Sequence, residues 1–312
     1  MIQSRTVAIL VTVLILIFMS FGTVLTKMVF SVVSPAAFLY LSMLIGMTTM
    51  SLYTFVIRKE KIPHDLMTKK IWSYVIQIAF FNFVIGTLLF FSLDYLSATT
   101  NTYLSNFIGF ITMGMSMFIL KESPGFYQVI GAVIAFSGLR VFFPSLPEGS
   151  ELTGMIMVFI GITGIAYTNN IARKLAIETE NNISNNIIST LAILIGGSAA
   201  VVIYLIVDGW PPHVPTLADW AVIIYSGIFM RAIGLTVWNL ILRTLRSYEA
   251  SILGASTVIW TSILAVIILK ETLGRNQMIG IAMMLAGLLL VQVRRGLRKK
   301  PKPQYPAITP SG

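Results

Sequence analysis

The sequence predicts an all-α integral membrane protein of ten transmembrane helices, arranged as two inverted five-helix repeats. Three observations predict it. The chain is 56% hydrophobic and only 11% charged, with a mean hydropathy of +0.85, far from the roughly 25% charged content of soluble domains. Broken at its polar, Pro-bearing stretches, it yields ten apolar runs of the ~17–25 residues that cross a ~30 Å hydrocarbon core as a helix. Finally, the stretch from Leu120 to Leu139 returns 149 positions later, from Leu269 to Leu288, with nine of twenty residues identical. Ten spans then divide into five plus five. An odd number per half makes the second copy enter the membrane from the opposite side.

The first span, 6–29, follows a single early Arg and carries no small-residue cleavage signal, so it reads as an uncleaved helix. Spans 36–57, 72–93 and 99–119 follow, the last ending at Lys121-Glu122. Span 126–143 holds Gly131 and Gly138, seven apart and so on one helix face, where neighbouring backbones can approach closely. It closes the first unit, residues 1–145. Span 153–172 opens the second unit, 146–293, with Gly154 and Gly161 at the same spacing and Gly164 beside them. Spans 184–207 and 218–242 come next. Span 250–269 ends at Lys270-Glu271, and 277–293 repeats the glycine pair as Gly280 and Gly287. Residues 294–312 form a basic, Pro-rich tail, read as a topology anchor that can touch anionic lipid heads.

Orientation follows from Lys and Arg on short loops. With the N-terminus inside, the cytoplasmic side collects 17 of the 22. Both termini are therefore expected in the cytoplasm of a multi-pass protein of the cell (inner) membrane. This also explains the net charge of +10 without a nucleic-acid partner. The chain has no Cys, and His64 and His213 fall in separate polar loops, so neither a metal nor a cofactor is expected. No zincin, nucleophile-elbow or phosphate-loop motif points to an enzyme.

Each half closes with a Lys-Glu pair, a Gly-x-x-Gln-x-x-Gly step and a helix ending in Gly-Leu. The carrying residues are Lys121, Glu122, Gln128, Gly131 and Gly138, then Lys270, Glu271, Gln277, Gly280 and Gly287, with Gly154, Gly161, Ala166, Tyr167 and Arg173 in the sixth span. On these the chain resembles the drug/metabolite transporter superfamily, specifically its EamA-type members. It departs where such proteins often carry proline (here Ile108 and Thr257) and an early second-helix arginine (here Ser42); Lys27 resembles the lysine near the end of their first helix. The resemblance implies a secondary transporter exporting amino acids or related metabolites.

The 149-residue offset sets Asn82 opposite Arg231, each near the middle of its span. A charge at bilayer centre is expensive, by about 2.5–3.5 kcal/mol on insertion scales, and faces a wet cavity or a partner. Arg231 is thus the leading substrate-binding candidate, the alternative being a structural arginine satisfied by carbonyls or an Asn. Asn82, Gln77, Trp238, Asn239, Tyr167, Asn106 and Trp260 complete the candidate set, Trp238 sharing the face of Arg231 by its seven-residue spacing. Asn169 and Asn170 flank Tyr167; Trp72, Trp210 and Trp220 fit interfacial belts. Glu122 and Glu271, at span ends, are expected to pair locally or accept hydrogen bonds from the start of the next helix.

All twelve acids fall in loops or at span ends, which disfavours the buried-carboxylate mechanism of proton-coupled cation carriers. A central guanidinium suits a carboxylate or other anionic group. The expected partners are the bilayer and a small-molecule substrate, with protons one of several coupling options; the sequence sets no oligomeric state. Alternatives are a multidrug or cation exporter, in which the 16 Met build an adaptable cavity, and a non-transporting scaffold.

Overall fold

The computed structural model describes residues 5–121, 125–180, 182–233 and 254–297. All regular structure among them is helical. The elements are α1 (Arg5–Val29), α2 (Pro35–Ser51), α3 (Lys69–Phe80), α4 (Thr87–Tyr95), α5 (Ala98–Ser105), α6 (Ile108–Ile119), α7 (Phe126–Phe142), α8 (Gly149–Glu178), α9 (Asn185–Asp208), α10 (Leu217–Tyr225), α11 (Thr257–Leu264) and α12 (Arg275–Leu297). Side-chain oxygens of Ser34, Thr68, Ser97, Ser184 and Thr216 cap the starts of α2, α3, α5, α9 and α10, each satisfying an N–H that a helix start leaves unpaired.

Among the described residues, six helical stretches are long and apolar enough to cross a membrane: 12–29, 35–57, 69–95, 98–119, 149–178 and 185–208. Three shorter apolar helices cover 126–142, 257–269 and 275–290. The expected span 218–242 is described only to residue 233, and the start of 250–269 also lies outside the described residues. Two expectations change. Span 153–172 is a 30-residue helix, α8, about 45 Å long at 1.5 Å per residue, so its ends reach past the apolar core. Several spans are also not continuous α-helices. Wide π-type turns occupy Leu52–Ile57, Phe81–Ile85, Ser226–Ile233 and Ala265–Leu269, with five-residue hydrogen bonds such as Gly86 N–H to Phe81 O at 3.0 Å. A break at Asn106 and Phe107 separates α5 from α6.

The repeat is visible in three dimensions. α7 and α12, the two copies of the closing helix, pack along each other. A methyl placed on Gly138 would sit 3.0 Å from the Gly280 carbonyl, and one on Gly287 would collide with the Gly131 carbonyl. Each glycine thus meets the equivalent of its partner's neighbour, which requires the two helices to run antiparallel about a two-fold axis. The same relation recurs at a second layer. Gly46 of α2 presses on the Gly227 carbonyl of the π turn after α10, and Gly196 of α9 presses on the Ala79 carbonyl of α3, within one residue of the equivalent pairing. The lysines of both Lys-Glu pairs, Lys121 and Lys270, share a left-handed backbone, φ 55° and 58°, and each ends its helix.

Charged side chains close the two ends of the bundle. Lys27 Nζ donates to the carbonyls of Leu93 (2.6 Å) and Asp94 (3.0 Å) at the end of α4. Glu271 accepts from the N–H groups of Ala98 (2.6 Å) and Thr99 (3.2 Å) at the start of α5. Glu271 therefore caps a helix of the other half rather than the next helix, and its charge suits the positive end of the α5 dipole. Glu122 lies outside the described residues. At the opposite end Glu178 of α8 takes an ion pair from Lys70 (2.7 Å) and a hydrogen bond from Tyr74 Oη (3.1 Å), both on α3.

Candidate substrate site around Arg231

Arg231 lies in the π turn that continues α10, and its side chain crosses to α2. Its Nε donates to Ser42 Oγ at 3.0 Å. Ser42 is fully buried and its hydroxyl is oriented by donating to the Leu39 carbonyl at 3.1 Å, which leaves a lone pair toward the guanidinium. Gly46, one turn further on, makes the approach possible: a methyl there would stand 2.9 Å from Arg231 Cβ. Arg231 Nη1 reaches Met43 Sδ at 4.0 Å, and the guanidinium carbon lies 5.5 Å from the centre of the Phe90 ring, within cation–π range.

Phe90 belongs to an aromatic group contributed by several helices. Phe30 just after α1, Phe38 of α2, Phe90 and Phe91 of α4 and Tyr204 of α9 are linked by ring-centre distances of 4.7–6.0 Å. Tyr204 Oη lies 2.7 Å from Thr87 Oγ1. Since Thr87 donates to the Val84 carbonyl, the tyrosine supplies the proton of that bond. A partly buried cation, a wall of rings and the hydroxyls of Ser42, Thr87 and Tyr204 are thus contributed by α2, α4, α9 and the π turn after α10. This is the mostly apolar lining with few polar anchors that small-molecule sites show.

The other sequence candidates distribute unevenly. Asn82 lies in the π turn Phe81–Ile85, so the paired positions Asn82 and Arg231 both sit where the α-helical pattern is broken. The described partners of Arg231 are, however, Ser42, Met43 and Phe90 rather than Asn82. Gln77 and Tyr167 are brought together: Tyr167 Oη donates to Gln77 Oε1 at 2.5 Å, Gln77 Nε2 donates to Ser73 Oγ at 3.0 Å, and the Tyr167 ring packs 4.7 Å from Phe81. Asn106 and Trp260 turn back on their own helices, to the Thr102 carbonyl (2.9 Å) and Ser256 Oγ (3.3 Å). Asn170 is buried and holds α8 to the Thr112 carbonyl at 3.1 Å. Trp238 and Asn239 lie outside the described residues.

Phe90, Phe91, Thr87, Tyr204 and Met43 went unnoticed in the sequence, where they are ordinary residues of apolar spans. Ser42 had a signal. It occupies the position where the resemblance sets an arginine, and the guanidinium arrives there from α10 instead. Two open clefts lie elsewhere, at the turns joining α4 to α5, α7 to α8 and α11 to α12. One of about 420 Å³ is lined by Phe142, Pro144 and Arg275, the other, of about 430 Å³, by Tyr95, Thr99 and Glu271. Glu151 and Gln277 border both, and neither includes Arg231.

The sequence profile of the EamA-like transporter family matches twice, over residues 6–143 and 152–293. The chain belongs to the EamA-like transporter family. It is similar to the "Uncharacterized transporter YetK" of Bacillus subtilis (strain 168), 23% identical over 248 residues that cover 78% of this chain and 73% of the relative. An "Uncharacterized transporter" of Clostridium kluyveri is 25% identical over 211 residues, 65% and 66% of the two chains. A protein of known crystal structure, 14% identical, shares the fold with a TM-score of 0.64 over 93% of this chain and 100% of its own. Members of this family are transporters rather than enzymes, and the chain is accordingly a multi-pass membrane transporter whose partners are the bilayer and a small-molecule substrate.

Proposed function

We propose that this EamA-family protein is a secondary transporter that exports a small metabolite carrying a carboxylate, an amino acid or small organic acid, bound at mid-membrane by Arg231. In this reading ten spans form two inverted five-helix units, 1–145 and 146–293. Both termini face the cytoplasm, and alternating access comes from rocking one repeat-derived bundle against the other. The reading rests on one observation: the guanidinium of Arg231, inside an apolar span, meets only uncharged described partners beside a wall of aromatic rings. A guanidinium in that setting offers a paired donor fork to an incoming carboxylate. Gln77 of α3, Asn82 of the π turn after it and Tyr167 of α8 are proposed to line the path beside it.

The test is counterflow of radiolabelled amino and organic acids in proteoliposomes with Arg231→Gln and Arg231→Lys. A loss of flux in Arg231→Gln, with the protein still folded by its ligand-free unfolding temperature, supports the reading. Wild-type flux in that variant removes Arg231 from the site.

A further inference from the structure

We propose that the Arg231 site selects a monocarboxylate with an apolar body and discriminates against the zwitterionic amino acid of the same skeleton, and that Ser42 is the residue that positions Arg231 for this choice. The inference rests on the reading of Arg231 as substrate anchor. A guanidinium carries five N–H donors. Nε is held by Ser42 Oγ at 3.0 Å, while Nη1 meets a thioether at 4.0 Å, a weak acceptor. The outer edge formed by Nη1 and Nη2, which grips a carboxylate with two parallel bonds, has no oxygen acceptor among the described residues. Ser42 determines where that edge points. Its own proton is committed to the Leu39 carbonyl, so the hydroxyl can only accept, and it pins the Nε side of the plane.

A zwitterion held by this edge must place its ammonium near the guanidinium. The polar groups tied to Arg231 and Phe90 through described hydrogen bonds and ring contacts are Ser42, Thr87 and Tyr204, all uncharged hydroxyls. None can neutralise a second positive charge, and an unpaired charge in a partly desolvated site is strongly disfavoured. Cation–π contact does not rescue it, because the near ring, Phe90, already lies under the guanidinium. The remaining rings suit a hydrocarbon body. A substrate of charge −1 instead completes the site, cancelling the single positive charge that the described chain leaves there.

Three probes that share a branched alkyl chain isolate the charge: 4-methylpentanoate, leucine and 3-methylbutylamine. Leucine is the first with an α-ammonium added; the amine is leucine without its carboxylate. Binding is measured by calorimetry on the full chain in lipid nanodiscs, with empty nanodiscs as baseline for partitioning. The acid is expected to bind at least about tenfold more tightly than leucine, with no heat from the amine. Arg231→Gln should abolish the acid's binding. Arg231→Lys, which keeps the charge and loses the fork, and Ser42→Ala, which keeps the fork and loses its orientation, should each weaken it about three- to tenfold. Leucine binding as tightly as the acid, but lost in Arg231→Gln, overturns the selection and leaves the anchor standing. Binding of either that survives Arg231→Gln in a folded protein overturns the anchor itself, as does a folded wild type that binds neither.

Discussion

The crossing of α7 and α12 gives a sharp test of the two-fold packing. The perturbation is alanine at Gly138, at Gly280, and at both. A methyl on Gly138 would lie 2.9 Å from Met283 Cβ and 3.0 Å from the Gly280 carbonyl; one on Gly280 would lie 2.7 Å from Phe142 Cβ and 2.9 Å from the Gly138 carbonyl. Non-bonded carbons rest at about 3.5–4.0 Å, so either methyl forces the pair apart by roughly 0.5–1 Å. Overpacking of that kind costs about 1–3 kcal/mol, against which the helix preference of alanine over glycine returns up to about 1 kcal/mol. Each single variant should therefore lose about 1–2 kcal/mol. The double variant should lose less than the sum, because a gap opened for one methyl already admits the other; such coupling marks residues in contact. Gly114→Ala is the control, since nothing lies within 4 Å of a methyl there, and it should be neutral or stabilising by up to about 1 kcal/mol. Thermal unfolding in detergent, followed by tryptophan fluorescence, reads all four. Losses that add fully across the pair, or single losses below about 0.5 kcal/mol, would refute the reciprocal glycine contact.

Other outcomes follow from single interactions. Glu271→Ala, which uncaps α5, should lower stability by about 1–2 kcal/mol, whereas Glu271→Gln, which keeps one acceptor, should lose about half of that; equal losses would count against the capping role. The Lys70–Glu178 pair is 63% and 27% exposed, so Glu178→Gln should change the unfolding free energy by less than about 1 kcal/mol, and a larger loss would mean that Tyr74 depends on the carboxylate. Thr54 and Thr190 share a buried hydroxyl contact at 2.8 Å between the α2 end and α9, while Thr190 also donates to the Asn186 carbonyl. Thr54→Val should thus cost about 0.5–1.5 kcal/mol and Thr190→Val more, because the latter strands the Thr54 hydroxyl; the reverse order in denaturant titrations would sink that assignment.

The membrane class, the duplication and the family were legible because each depends on something a single sequence carries: hydropathy, recurrence and spacing. The glycines at 131, 138, 280 and 287 were readable as packing surfaces since a seven-residue step fixes their face. Their reciprocal pairing was not, as it depends on which helices meet. Arg231 was legible because a charge inside an apolar run is costly wherever it points. Its surroundings were hidden. Phe90 and Thr87 differ in no local way from other residues of their span, and only the close approach at Gly46 and Gly227 makes Ser42 the guanidinium's partner. The ends of the spans misled in a similar way. Glu271 sits beside the start of α12 in sequence, yet the fold hands it to α5.

The π turns at Phe81–Ile85 and Ser226–Ile233 change how these spans must be read along their length. Every turn that accommodates an additional residue puts the rest of the helix out of phase, by about 100° for one residue at 3.6 per turn. A helical wheel drawn straight through Asn82 therefore misassigns the faces of α4 that follow it. A seven-residue step that crosses such a turn does not by itself imply a common face, and pathway residues beyond the turn at Phe81–Ile85 lie on a rotated origin.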